Sequence, residues 1–76
     1  MEILKAELNN EGTPVNKALV KYNGRYYVVS ESSRFGLETL IFPSDSEGKI
    51  TEYIEVGGGR GVALHEVLAN FENELF

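Results

Sequence analysis

The side chains able to do chemistry are few and lie in the C-terminal half of the chain. His65 is the only histidine, Glu66 stands beside it, and there is no cysteine. A single imidazole has no second histidine and no thiolate with which to build a metal site, and no nucleophile is spaced to form a relay with it. His65 therefore reads as a neutral or solvent-facing ring near the start of a helix. Glu52 and Glu55 lie on a stretch that alternates like a strand, which sends them to opposite faces and prevents them from working as an acid–base pair. The run Gly57-Gly58-Gly59-Arg60-Gly61 is the one place where free backbone N–H groups and a cationic side chain coincide. Between a strand and a helix it is a candidate ligand-binding element for a small anion or a nucleotide, with Gly57, Gly58, Gly59 and Gly61 as the cradle and Arg60 as counter-charge. The phosphate-loop pattern GxxxxGK[ST] is absent and no acidic residue is placed for magnesium, so the competing reading is a flexible connection. No catalytic residue, metal ligand or cofactor is assigned, and the chain reads as non-enzymatic.

Composition narrows the partners. Twelve acidic and seven basic residues in 76 give a net charge of −5, which disfavours attraction to phosphate backbones, so no direct nucleic-acid partner is expected. Without cysteine the chain has no disulfide framework, and the cytoplasm is its natural setting. Met1-Glu2-Ile3-Leu4-Lys5 has neither a basic start nor a long apolar run, and no stretch approaches the ~20 apolar residues of a membrane span. The reading is a soluble, untargeted single domain with no membrane partner. A chain this size buries only ~60% of its unfolded surface.

The elements that must position these side chains follow from periodicity. In Lys17 to Glu31, two runs rich in Val, Leu and Tyr flank Asn23-Gly24, a pair that tolerates the positive φ of a type I′ turn. The two-residue loop sets Tyr22 opposite Arg25, Val20 opposite Tyr27 and Ala18 opposite Val29. One face then carries Ala18, Val20, Tyr22, Tyr27 and Val29, and the other Lys17, Leu19, Lys21, Tyr26, Val28 and Ser30. Residues 2–8 alternate, with Leu4, Ala6 and Leu8 on one side, yet they are also good helix formers; a strand is preferred. Leu37 to Phe42 predicts a strand ended by Pro43, and Ser44-Asp45-Ser46-Glu47-Gly48 a turn. Lys49 to Val56 then completes a second hairpin. Beyond Gly61 the period changes, and Leu64, Val67, Leu68, Phe71 and Leu75 form one stripe of a helix from about Ala63 to Leu75. The fold class is α+β, an antiparallel meander of four or five strands with one C-terminal helix packed on one face. Residues 1–56 form the sheet, 57–61 the glycine-rich loop and 62–76 the helix.

Both sheet faces carry large apolar residues while one helix, about 18 Å long, covers one face only. The uncovered face is therefore a surface for a protein partner or for a second copy, as a homodimer through that face or through a strand edge. Its candidate residues are Leu19, Tyr26, Val28 and Tyr53. Glu72 and Glu74 at the helix end form an acidic cluster suited to a basic partner. The N-terminal segment folding across the open face is the alternative.

Glu38-Thr39-Leu40-Ile41-Phe42, Asp45, Gly48-Lys49-Ile50-Thr51-Glu52-Tyr53, Glu55, His65-Glu66 and Phe71 together resemble a loose group of small uncharacterised proteins encoded by bacteriophages and prophages. The likeness runs from Tyr27 to Phe71, with Tyr53 standing where that group carries tryptophan. It implies a viral origin and expression inside a bacterium, and carries over no activity. The function expected is that of a small acidic, non-enzymatic binding protein acting on a host or phage protein; the alternative is anion or nucleotide binding at Gly57–Gly61.

Overall fold

A computed structural model describes all 76 residues. Five strands form one antiparallel sheet in sequence order: β1 (Glu2–Leu8), β2 (Pro14–Tyr22), β3 (Arg25–Ser32), β4 (Glu38–Ser44) and β5 (Gly57–Arg60). Two short helices follow, α1 (Leu64–Ala69) and α2 (Phe71–Glu74). The fold is α+β, with the C-terminal helical segment packed on one face of the sheet.

The central hairpin has the expected register, Tyr22 opposite Arg25, Val20 opposite Tyr27 and Ala18 opposite Val29. Asn23 and Gly24 both have positive φ, 51° and 76°, as a two-residue turn of this hand requires. The helices cover the face of Ala18, Val20, Val29 and Ile41, which pack with Leu64, Val67, Leu68 and Phe71 into the core. Phe71 meets the rings of Tyr22 and Tyr27 edge-on at centroid distances of 5.4 and 5.6 Å.

Residues 2–8 are a strand, with two irregularities against β2. Ile3 pairs with Val20 and Lys5 with Leu19, so Leu4 is an extra residue on β1; between Ala6 and Glu7 the extra residues are on β2, where Asn16 has φ 65°. The bulge resets the alternation. Ile3, opposite Val20, and Ala6, opposite Ala18, fall on the helix side and Lys5, opposite Leu19, on the other; alternation from Ala6 then sets Leu4 and Leu8 on the helix side and Glu7 with Lys5.

Expected elements are corrected at three places in the sheet. Pro43 does not end β4, which runs on to Ser44 with Pro43 opposite Tyr27. The Pro43 carbonyl accepts from Thr51 N–H, so its missing donor falls on the side away from β3, where no ladder bond is lost. Lys49 to Val56 is not a strand. The second hairpin starts as expected with Ser44 bridged to Ile50, but four residues, Glu52 to Glu55, then leave the sheet before Ile41 pairs with Gly57. The glycine run is therefore not a loop: its residues 57–60 are β5. Glycine is required there by close approach. A Cβ on Gly57 would strike the Glu74 carbonyl oxygen and lie 2.8 Å from Ile41 Cδ1, and one on Gly58, at φ 97°, would strike the Thr39 carbonyl oxygen.

The single helix is two. At Asn70 (φ −126°, ψ 34°) the helix breaks, and the Asn70 carbonyl accepts from Asn73 and Glu74 N–H to start α2. The break lets Leu75 turn extended and bridge Gly57, with Phe76 N–H donating to the Val56 carbonyl. The apolar stripe survives, since Leu64, Val67, Leu68 and Phe71 are buried and Leu75 is half-buried.

Candidate functional site

The face of the sheet away from the helices is covered in part by the connection from Asp45 to Val56, and not by the N-terminal segment. The Asp45 carboxylate oxygen Oδ1 accepts from Glu47 N–H and Lys49 N–H, each at 2.9 Å, closing the turn that starts this connection. Those backbone donors hold the Asp45 carboxyl below its ordinary pKa of 3.8, the Lys49 N–H bond contributing most. The turn sets Gly48 over Leu19, so that a Cβ added at Gly48 would lie 3.7 Å from Leu19 Cδ2. Farther along, the Tyr53 ring lies 6.1 Å from that of Phe42 at 59°. Val28, expected at the surface, is thereby only 2% exposed and belongs to a second, smaller apolar layer.

The six expected interaction residues therefore divide. Leu19 and Tyr26 are half-buried on the outer face, Val28 is buried, and Tyr53 stands 82% exposed on the connection. Ile54, next to it in the chain, is 61% exposed because Glu52 to Glu55 have left the sheet. Four acidic residues, Asp45, Glu47, Glu52 and Glu55, accompany the single Lys49 along this segment. Glu72 and Glu74 lie on the helix side and are not part of this surface; Glu72 accepts from the Tyr22 hydroxyl at 3.4 Å.

The expected anion cradle is filled by other contacts. Gly57 to Arg60 pair with Glu38 to Ile41, and Arg60 Nε lies 3.5 Å from Glu38 Oε2. Gly61 N–H donates to the Leu37 carbonyl. The N-terminus of α1 already holds two carboxylates: Glu31 Oε2 accepts from Leu64 N–H at 2.8 Å, and Glu66 Oε1 from Ala63 N–H at 3.2 Å. An incoming anion would meet those negative charges first. Ala63 offers no side-chain cap, and Glu31, more than thirty residues earlier, takes that role. No local signal in the sequence marks it.

His65 is exposed on α1, and no three His, Asp or Glu side chains converge in an arrangement that would hold a metal ion. No helix is long and apolar enough to cross a membrane. A hollow of about 470 Å³ opens at the end of the sheet beside Arg25, Tyr26, Tyr27, Pro43, Val56 and Phe76. No protein-family model, no curated protein and no solved structure matches this chain.

Proposed function

We propose that this chain is a small, non-enzymatic binding protein that acts on another protein in the cytoplasm of a bacterium, of host or phage origin. One observation carries the reading: Tyr53 and Ile54 project from the sheet, flanked by Glu52 and Glu55, on a connection held at its base by the Asp45 turn. Large apolar side chains are costly to leave in water, and an aromatic anchor within an acidic rim is the composition of a contact surface. The partner that fits has an apolar pocket bordered by basic residues. The resemblance to phage-encoded proteins supports the bacterial setting, and the absence of cysteine agrees with a reducing compartment.

The test is affinity capture from bacterial lysate at low salt with wild type and with Tyr53→Ala/Ile54→Ala. Because both side chains are exposed, the double variant should melt within a few degrees of wild type. The expected result is a captured protein, sensitive to salt, that the variant loses. Capture of nothing, or equal capture by both proteins, overturns the proposal.

A further inference from the structure

The two edges of the sheet are not alike. The outer edge of β5 is partly closed by the chain itself, through the Gly57–Leu75 bridge and the Phe76 to Val56 hydrogen bond. The outer edge of β1 has no strand beside it. On its helix side β1 leaves Ile3, Leu4 and Leu8 exposed, Leu8 by 60%. The geometry points to a second copy of this chain as the occupant of that edge, through antiparallel β1–β1 pairing about a two-fold axis at Ala6.

Parity and charge select this register. In an antiparallel ladder, alternate residues of an edge point their N–H and C=O groups outward, and two facing residues bond only if both do. For identical edges related by a two-fold axis, the axis must therefore pass through a residue, not between two. An axis at Lys5 sets Lys5 against its own copy, and one at Glu7 does the same for a carboxylate; like charges directly opposite are unfavourable. An axis at Leu4 falls on the bulge. The axis at Ala6 sets Ala6 against Ala6, Leu4 against the partner's Leu8, and Lys5 against the partner's Glu7, each of the last two pairs occurring twice by symmetry.

The faces agree with this choice. Leu4, Ala6 and Leu8 share the helix side and form an apolar stripe across the junction, while both Lys5–Glu7 pairs lie on the other side. Within one copy neither Lys5 nor Glu7 has an ion-pair partner, since Arg60–Glu38 is the one salt bridge in the chain. A lysine on an edge strand ordinarily blunts it against pairing. Here Glu7, two residues on, converts that charge into a device that fixes the register. The product is a continuous ten-stranded sheet with both helical layers on one side.

This surface is separate from Tyr53 and Ile54, so either proposal can fail alone. The test uses charge reversal. In Lys5→Glu the new carboxylate faces the partner's Glu7, and in Glu7→Lys the new ammonium faces the partner's Lys5. Either substitution alone should therefore disrupt pairing, while an equimolar mixture of the two variants restores both opposite-charge pairs. Sedimentation equilibrium over micromolar to submillimolar protein should show wild type approaching twice 8.5 kDa. Each variant, folded by circular dichroism, should remain at the monomer mass at least tenfold higher in concentration than wild type, and the mixture should associate again. A misfolded variant would not be rescued by mixing. A wild type that stays monomeric throughout, a dimer indifferent to both substitutions, or a mixture that does not associate overturns the inference.

Discussion

The carboxylate of Glu31, near the end of β3, accepts a 2.8 Å hydrogen bond from the backbone N–H of Leu64, the first residue of α1. A strand thus caps the helix that covers it, and the bond fixes where the helix begins along the sheet. Removing a cap of this kind costs about 0.5–2 kcal/mol. Glu31→Ala should lower the urea midpoint by a corresponding amount, and Glu31→Gln, which keeps an acceptor oxygen, by less. Equal midpoints for Glu31→Ala and wild type would show that the bond contributes nothing.

Phe71 joins the helices to the central hairpin through Tyr22 and Tyr27. Truncating a large buried aromatic leaves a cavity and costs about 3–5 kcal/mol, a large share of the ~5 kcal/mol or so available to a small domain. Phe71→Ala should be largely unfolded or melt far below wild type by near-ultraviolet circular dichroism.

The glycine strand supplies an internal control. Gly58 has φ 97° and no room for a Cβ, whereas a Cβ on Gly59 would meet nothing within 4 Å. Gly58→Ala should cost at least about 1–3 kcal/mol from backbone strain alone, with the overlap against Thr39 added. Gly59→Ala should lie within about 1 kcal/mol of wild type. A pair of matched melting curves decides it: equal losses would place residues 57–60 in a loop after all.

Asp45 makes stability depend on pH in a stated direction. Its folded pKa is depressed below 3.8, chiefly by the Lys49 and Glu47 N–H bonds. The stabilisation is therefore complete above the unfolded value and disappears as pH falls through the lower, folded one. Wild type should exceed Asp45→Asn in urea midpoint at neutral pH, with the gap closing as pH falls from the unfolded value of 3.8 through the lower, folded one. A gap that stays constant over that range would remove Asp45 as the cause.

The β2–β3 register was legible because Asn23-Gly24 fixes a two-residue turn, and a period-two pattern then settles each face. The strand at residues 2–8 was legible in type, but its bulge was not, since nothing in Glu-Ile-Leu-Lys marks Leu4 as the unpaired residue. The glycine run misled because glycine's freedom in loops and its lack of a Cβ in crowded strands leave the same residue in the sequence. What distinguishes them is the proximity of Glu74 and Thr39, which only the tertiary fold creates. Four residues leaving the sheet at Glu52 moved the pairing from Lys49–Val56 to Gly57–Arg60, and so left Tyr53 and Ile54 exposed on the connection. The cap from Glu31 to Leu64 was likewise invisible to any local rule.

Every strand of this sheet neighbours the one just before it in sequence, so each ladder can close as soon as its second strand has been synthesised. The covering layer behaves differently, because Leu64 to Phe71 must travel back across β5 and β4 to reach Ala18, Val20 and Val29. On a ribosome, the sheet would be complete while one of its faces is still bare. The interval between emergence of β5 and emergence of α1 is then the time of greatest exposure to aggregation and to chaperones.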